Sequence, residues 1–434
     1  MKIATLKIES ALNKQNNSQG LQEEFSLLEN SDTTWVRFGE ELFLFSDKDE
    51  RDSKIFCLTE RMNFRENTEK LRPENLHLVV QKGNLFERNH PEVPVILNKG
   101  RFLIVEINPE RASLYNQDGG ETCWSLFPLP RNKTVYNVQH PDSSARSKSI
   151  PWIQSLVDNL ERESLQADLE HLVSYHNRYS TGEDFRKAAE WANNQFQTMG
   201  GYISRLQDIV VDNETSYNII AEKSGTASND RKCVIVTAHL DSVNHIKDPN
   251  DPNDERIEYR KAPGADDNGS GSAGVLAMAR ALKDHSSHHD LRFILFGGEE
   301  QGLHGSKQYL ESVTPEERKK IKAVINMDMI GTLNIPQLSV LIEGGKNVSE
   351  PVIQGLEKAA QVYTNLRVIK SYTPFNSDHV PFIDKRIPCV LTIEGSDVSN
   401  PNDHTKNDTL DHINYDLILE ILRMNVAFTA ESIE

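Results

Sequence analysis

Imidazoles and carboxylates recur in short clusters through the second half of this 434-residue chain. They are His239-Leu240-Asp241; Asp266-Asp267 within Pro263-Gly264-Ala265-Asp266-Asp267-Asn268-Gly269-Ser270-Gly271; the doublet Glu299-Glu300; Asp328 within Asn326-Met327-Asp328-Met329; and His404. Two imidazoles and several carboxylates, with no thiolate among them, are borderline ligands that suit zinc. A carboxylate-rich set can also hold two metal ions roughly 3.5–4 Å apart with one carboxylate between them. Water on such an ion has its pKa lowered to about 7, which makes a nucleophile at neutral pH. The His-x-Asp spacing lets Asp241 accept the second ring N–H of His239 and fix its tautomer. Each cluster alone has an ordinary reading. His239 and Asp241 could cap a strand end, Asp266 and Asp267 could form a turn beside Gly264 and Gly269, and His404 could sit in a surface loop. Asp328 resists that reading, because an unpaired carboxylate inside an apolar run is costly to bury. The five clusters together favour a metal site.

Such clusters need elements that bring them together. From about residue 150 the chain alternates strand-like and helix-like stretches. Apolar runs at Cys233–Ala238, Leu291–Phe296 and Ala323–Met329 alternate with helical patterns at 183–198, 270–282 and from 306. Strands at 217–221, 338–342 and 389–393 and helices at 350–363 and 415–431 complete the pattern. Continuous apolar strands between helices predict an α/β fold, a mostly parallel central sheet with helices on both faces. In such folds ligands bind beyond the carboxyl ends of the strands, and every cluster above falls at a strand end or in the loop after it. Residues 1–147 differ: short runs such as Trp35–Phe38, Leu42–Phe45, Leu76–Val80 and Phe102–Ile107 lie between polar turns (46–50 and 116–120) and predict a smaller strand-rich domain. The polar, turn-rich stretch Gln139–Pro151 marks the linker, so the second domain is expected over 148–434.

The order of the five motifs, over residues 160–434, resembles the zinc aminopeptidases of peptidase family M28, including the bacterial leucyl aminopeptidases. The resemblance implies two zinc ions: one held by His239 and Asp328, the other by Glu300 and His404, with Asp267 bridging. It implies Glu299 as the general base, moving a proton from zinc-bound water to the leaving amine, with Asp241 supporting His239, and a cis peptide bond after Asp267. The segment Asn376–Phe382 resembles a further family motif near the substrate pocket, which implies Asp378 as a substrate-binding residue, and Tyr372 is a candidate oxyanion stabiliser. The implied activity is removal of N-terminal residues from peptides. A di-zinc carboxypeptidase or deacylase and a glutaminyl cyclase-like enzyme remain alternatives. The first normally carries a lid domain between its later ligands, and only 75 residues separate Asp328 from His404.

Composition sets outer limits. The formal net charge of -17 disfavours nucleic acid and anionic membrane surfaces as partners. No apolar run is long enough to span a bilayer, and the N-terminus shows no signal-peptide apolar core. A cytoplasmic location is therefore expected, with export the alternative that the family resemblance suggests. No CxxC pair occurs among the four cysteines. Cys233 and Cys389 lie in apolar runs and read as buried thiols, whereas Cys57 and Cys123 could pair in an exported protein. The insert Asn244–Ala262 reads as a loop beside His239, with substrate selection as its alternative role.

Overall fold

The computed structural model describes residues 2–7, 34–46, 63–64, 71–82, 84–115, 124–140, 148–248, 254–397 and 400–434. Cys57, Cys123 and the polar turn at 116–120 lie outside them, as do parts of the 46–50 turn and the 139–151 linker. Two compact units divide the chain: Met1–Val138 with Ile369–Ser371, and Gln139–Val368 with Tyr372–Glu434.

The N-terminal unit is strand-rich. Thr34–Phe38 and Glu41–Ser46 form an antiparallel hairpin, and Lys2–Lys7 pairs antiparallel with its second strand. A separate four-stranded sheet, ordered Val95–Lys99, Phe102–Glu106, Leu76–Gln81, Trp124–Pro128, is antiparallel throughout. Val79, Phe86, Leu103, Val105 and Trp124 form its buried apolar cluster.

The C-terminal unit is built on a mixed sheet. Its strands are β1 (Ile203–Val211), β2 (Glu214–Lys223), β3 (Cys233–His239), β4 (Asp290–Phe296), β5 (Ile321–Met327), β6 (Ser339–Gly344) and β7 (Cys389–Glu394). Their spatial order is β1-β2-β4-β3-β5-β7-β6. Pairings β4/β3, β3/β5 and β5/β7 are parallel, whereas β1/β2, β2/β4 and β7/β6 are antiparallel. The expected mostly parallel sheet is thus corrected to a parallel four-strand centre with antiparallel flanks. The cause on one flank is local. Asp212 and Asn213 both take positive φ (50° and 65°), the conformation of a tight hairpin turn, so β2 must run back along β1.

Alternation along the central strands divides the core between two faces. Val234, Val236 and Ala238 of β3 join a large cluster with the helices Pro151–Asp158, Arg162–Val173, Glu183–Met199, Gly271–Leu282, Lys346–Tyr363 and Tyr415–Ile433. Cys233 and Ile235 face the other way, with Tyr309 and Leu310 of helix His304–Ser312 and Phe382 of helix His379–Asp384. The expected helices on both faces are present, and Cys233 and Cys389 are buried free thiols. Among the described residues no helix is long and apolar enough to cross a membrane.

Candidate metal centre

Because β3, β4 and β5 are parallel and in register, their carboxyl ends reach one edge of the sheet together. His239 lies opposite Phe296, the last residue of β4, and Thr237 opposite Asn326 of β5. His239-Leu240-Asp241, Glu299-Glu300 and Asp328 therefore gather there by construction. The bridge between them is the turn 265–270, closed onto the end of β5 by Asn268, whose Nδ2 donates to the Met327 carbonyl (2.8 Å). The Asp267–Asn268 peptide is cis, as the resemblance implied. Gly271 opens the following helix where a Cβ would lie 2.3 Å from Asn268 Oδ1 and 2.7 Å from the Met327 carbonyl, so only glycine fits this close approach. His404 arrives from the loop after β7 with a left-handed backbone (φ 53°), a conformation uncommon outside glycine and concentrated at functional sites.

The side chains converge. His239 Nε2 lies 3.1 Å from Asp267 Oδ1, 3.4 Å from Asp328 Oδ1 and 4.0 Å from Glu299 Oε2. His404 Nε2 lies 3.0 Å from Asp267 Oδ2 and 3.0 Å from Glu300 Oε2. Asp267 thus presents one oxygen to each histidine. All of these side chains are nearly inaccessible to solvent. Among the described residues, three overlapping sets bring their ligand atoms within 4.8 Å of one another: His239, Asp267 and Glu300; His239, Glu299 and Asp328; Asp267, Asp403 and His404.

Supporting groups fix these positions. Asp241 accepts from the backbone N–H groups of Glu300 (3.0 Å) and Glu299 (3.4 Å), so it holds the doublet in place. The nearest oxygen to His239 Nδ1 is the Asp241 carbonyl at 3.2 Å, with the carboxylate at 3.5 Å. Asp241 therefore orients the ring partly through its main chain. Asp328 Oδ2 accepts from Ser377 Oγ (2.8 Å), which accepts in turn from Asn326 Nδ2 (2.9 Å). Asp408 receives the N–H groups of Asp266 and Asp267, and burial raises its pKa well above the ordinary carboxylate value. Arg178 is wholly buried nearby; burial lowers its pKa to about 10, opposed by Asp408, Asp241, Asp267 and Glu300.

Electrostatics favour a cation at the centre. Burial disfavours charge on His239, yet the carboxylates of Glu299, Asp328, Asp241 and Asp267 outweigh it and raise the ring's pKa well above its usual value. The protein thus draws a proton where positive charge is wanted. The donor set of imidazole nitrogens and carboxylate oxygens, with no thiolate, fits zinc.

Two expected residues stand differently. Asp378 directly precedes the helix His379–Asp384, with no capping hydrogen bond from its side chain, and is fully buried, where burial raises its pKa to about 7. Tyr372 is half-buried, and burial with a hydrogen bond to Glu350 raises its pKa to about 12. His379 faces Glu343 (3.5 Å) in the interior. The insert 244–262 is tied to the His404 loop at its described residues. His245 N–H donates to the His404 carbonyl (3.1 Å), the two rings meet edge to face, and Asp248 pairs with Lys406 (2.8 Å). Asp403 and Arg178 were not singled out from the sequence. Adjacency to His404 was the only signal for the former, and nothing local marked the latter.

Comparison with known proteins places this arrangement. Residues 218–429 match the model of Peptidase family M28. Leucine aminopeptidase 1 of Arthroderma otae is 28% identical over 342 residues, covering 73% of this chain and 83% of that protein. A probable leucine aminopeptidase 1 of Trichophyton verrucosum is 29% identical, covering 68% and 79%. The LapA aminopeptidase of Legionella pneumophila shares the fold with a TM-score of 0.56 at 17% identity, over 83% of this chain and 98% of that one. BSAP, a zinc aminopeptidase from Bacillus subtilis, does so with a TM-score of 0.53 at 19% identity, over 63% and 96%. With a buried imidazole–carboxylate centre on the sheet edge, and the family match spanning all five clusters that build it, the chain carries a peptidase region of the M28 type over residues 218–429 and is a metallopeptidase.

Proposed function

We propose that the protein is an aminopeptidase that removes N-terminal residues from peptides at a two-zinc centre. The observation that carries this reading is Asp267, whose two oxygens lie 3.1 Å and 3.0 Å from the Nε2 atoms of His239 and His404. A carboxylate so placed between two imidazoles would be shared by two ions if both were bound. His239 and Asp328 would hold one ion; His404 and Glu300 would hold the other. Zinc, when bound, polarises the scissile carbonyl and acidifies water. Glu299 is the base. Its backbone N–H is anchored to Asp241, and its carboxylate stands on the His239 side, farther from the imidazole than either Asp267 or Asp328. It takes a proton from the attacking water and returns it to the nitrogen of the leaving amine. Asp241 holds the Glu299-Glu300 backbone against both tasks. The free α-amine of the substrate is a cation, and the carboxylates of the site, Asp403 among them, supply its counter-charge. Asp378, fully buried, would contribute to the substrate side only through the helix His379–Asp384 that it precedes.

The segment between Asp328 and His404 supports this reading over a carboxypeptidase. Its described residues form strands and helices, with Ile369–Ser371 grouped with the N-terminal unit, and include no lid domain. A panel of free and N-blocked aminoacyl substrates, assayed with added zinc, tests the proposal. Cleavage confined to free amines is expected; equal cleavage of blocked substrates would overturn it.

A further inference from the structure

We infer that Arg178 is the positioning residue that sets the spacing between the His239 and Asp267 arms of the centre. This inference rests on the metal-site reading above. Arg178 precedes the segment that matches the family model, in the turn between the helices Arg162–Val173 and Glu183–Met199. Its side chain is fully buried. Nε donates to the Leu240 carbonyl (2.7 Å), between His239 and Asp241 in the chain. Nη1 donates to the carbonyls of Pro263 (2.6 Å) and Leu172 (3.1 Å), and Nη2 to that of Gly264 (2.9 Å). One planar group thus binds the main chain beside the first ligand, the main chain leading to the bridging ligand, and the end of a helix.

The backbone repeats the connection. Arg178 N–H donates to Ser242 Oγ (3.0 Å), Ser242 N–H donates to the Arg178 carbonyl (3.2 Å), and Ser242 Oγ donates to the Ala262 carbonyl (2.8 Å). Gly264 is shaped to this packing. It takes φ +56°, and a Cβ there would lie 2.9 Å from Arg178 Nη2 and 2.5 Å from the Asp267 carbonyl.

Two features separate this role from ordinary core filling. A guanidinium has five donors in a fixed plane, and four of its bonds here go to carbonyls from three segments; lysine has three donors on a flexible stem and cannot reproduce the fork. A full charge is also costly to bury for carbonyls alone. It is offset here because Asp408, Asp241, Asp267 and Glu300 all lie within its field.

The test uses the full chain with Arg178→Lys, which keeps the charge, and Arg178→Met, which keeps only the bulk. Zinc affinity is read by competition with a chromophoric chelator, melting temperature with and without zinc, and kcat and KM separately. The expected result for Arg178→Lys is weaker zinc binding and a lower kcat, each by about 10–100-fold, the range for partners that orient metal ligands, with KM little changed. The melting temperature should fall more with zinc than without it. Arg178→Met should be worse on every measure, and if it fails to fold Arg178→Lys carries the test alone. Equal losses of melting temperature with and without zinc, at wild-type zinc affinity, would reduce Arg178 to a structural bolt and overturn the inference. Failure of the wild-type chain to bind zinc would instead remove the metal-site reading first, and the two failures are told apart by that control.

Discussion

The two units bury charge in opposite ways. In the N-terminal unit the buried polar residues, among those described, are His77, Gln81, Lys82, Arg101 and Ser371, with no carboxylate among them. Gln81 serves the fold directly, accepting the Phe86 N–H (3.1 Å) and donating to the Gly100 carbonyl (3.2 Å). The C-terminal unit buries Asp241, Asp267, Glu299, Asp328, Asp403 and Asp408 around a single edge of its sheet, and Arg178 is its one buried Lys or Arg among the described residues. Buried charges are tolerated only when paired or metal-bound. The contrast agrees with the proposed metal centre: the N-terminal unit buries no carboxylate among its described residues, whereas the other gathers carboxylates whose charge bound cations would offset.

That contrast can be broken most directly by removing zinc. Chelation should abolish turnover and selectively lower the stability of the C-terminal unit, by about 4 kcal/mol per site if free zinc had stood about 1,000-fold above its Kd. Hydrogen exchange should then report faster opening at the ends of β3–β5 and unchanged protection at Leu76–Gln81 and Phe102–Glu106. Uniform loss of protection would contradict the division. Within the centre, Glu299→Gln should cut kcat by about 10²–10⁴-fold, because the amide accepts no proton, while bound zinc stays at the wild-type level. Near-normal turnover would remove Glu299 as the base. Glu300→Ala sharpens the distinction inside the doublet: metal analysis should find about one zinc equivalent fewer, and full occupancy would exclude it as a ligand. The smallest effect on the centre is expected from the other unit. Leu103→Ala, in its buried cluster, should destabilise that unit by about 2–5 kcal/mol yet leave zinc content unchanged by elemental analysis.

What was legible in the sequence followed from strong local signals. The apolar runs of β3, β4 and β5 were read at nearly their final bounds because both faces of these strands are covered. Strand β1 was not read. Ile203 and Val210 are exposed, its pattern is that of a half-solvated edge, and the signal that could have found it was the Asp212-Asn213 turn. Strand direction was misjudged for the same reason, since an apolar run looks alike in parallel and antiparallel pairings. In the centre, the seven residues proposed as ligands, base and support could be picked out because their motifs are short and follow one another in order, and the structure brings their side chains together. Arg178 shows the limit of that reasoning: its acceptors at Leu240 and Gly264 lie far from it along the chain, so no local motif marks it.

By itself the sequence determined the chemistry on offer: two imidazoles, the carboxylates, no thiolate pair, and the apolar strands whose ends carry them. Only the tertiary structure decided how these groups face one another. Parallel register set His239, Glu299 and Asp328 on one edge, and Asp267 came to stand between two histidines. Arg178 found acceptors 62 and 86 residues away along the chain. Ligand identity is a property of single residues and survives in the one-dimensional record. The distances between ligands belong to the packing of whole strands and loops, and no local stretch of the chain encodes them.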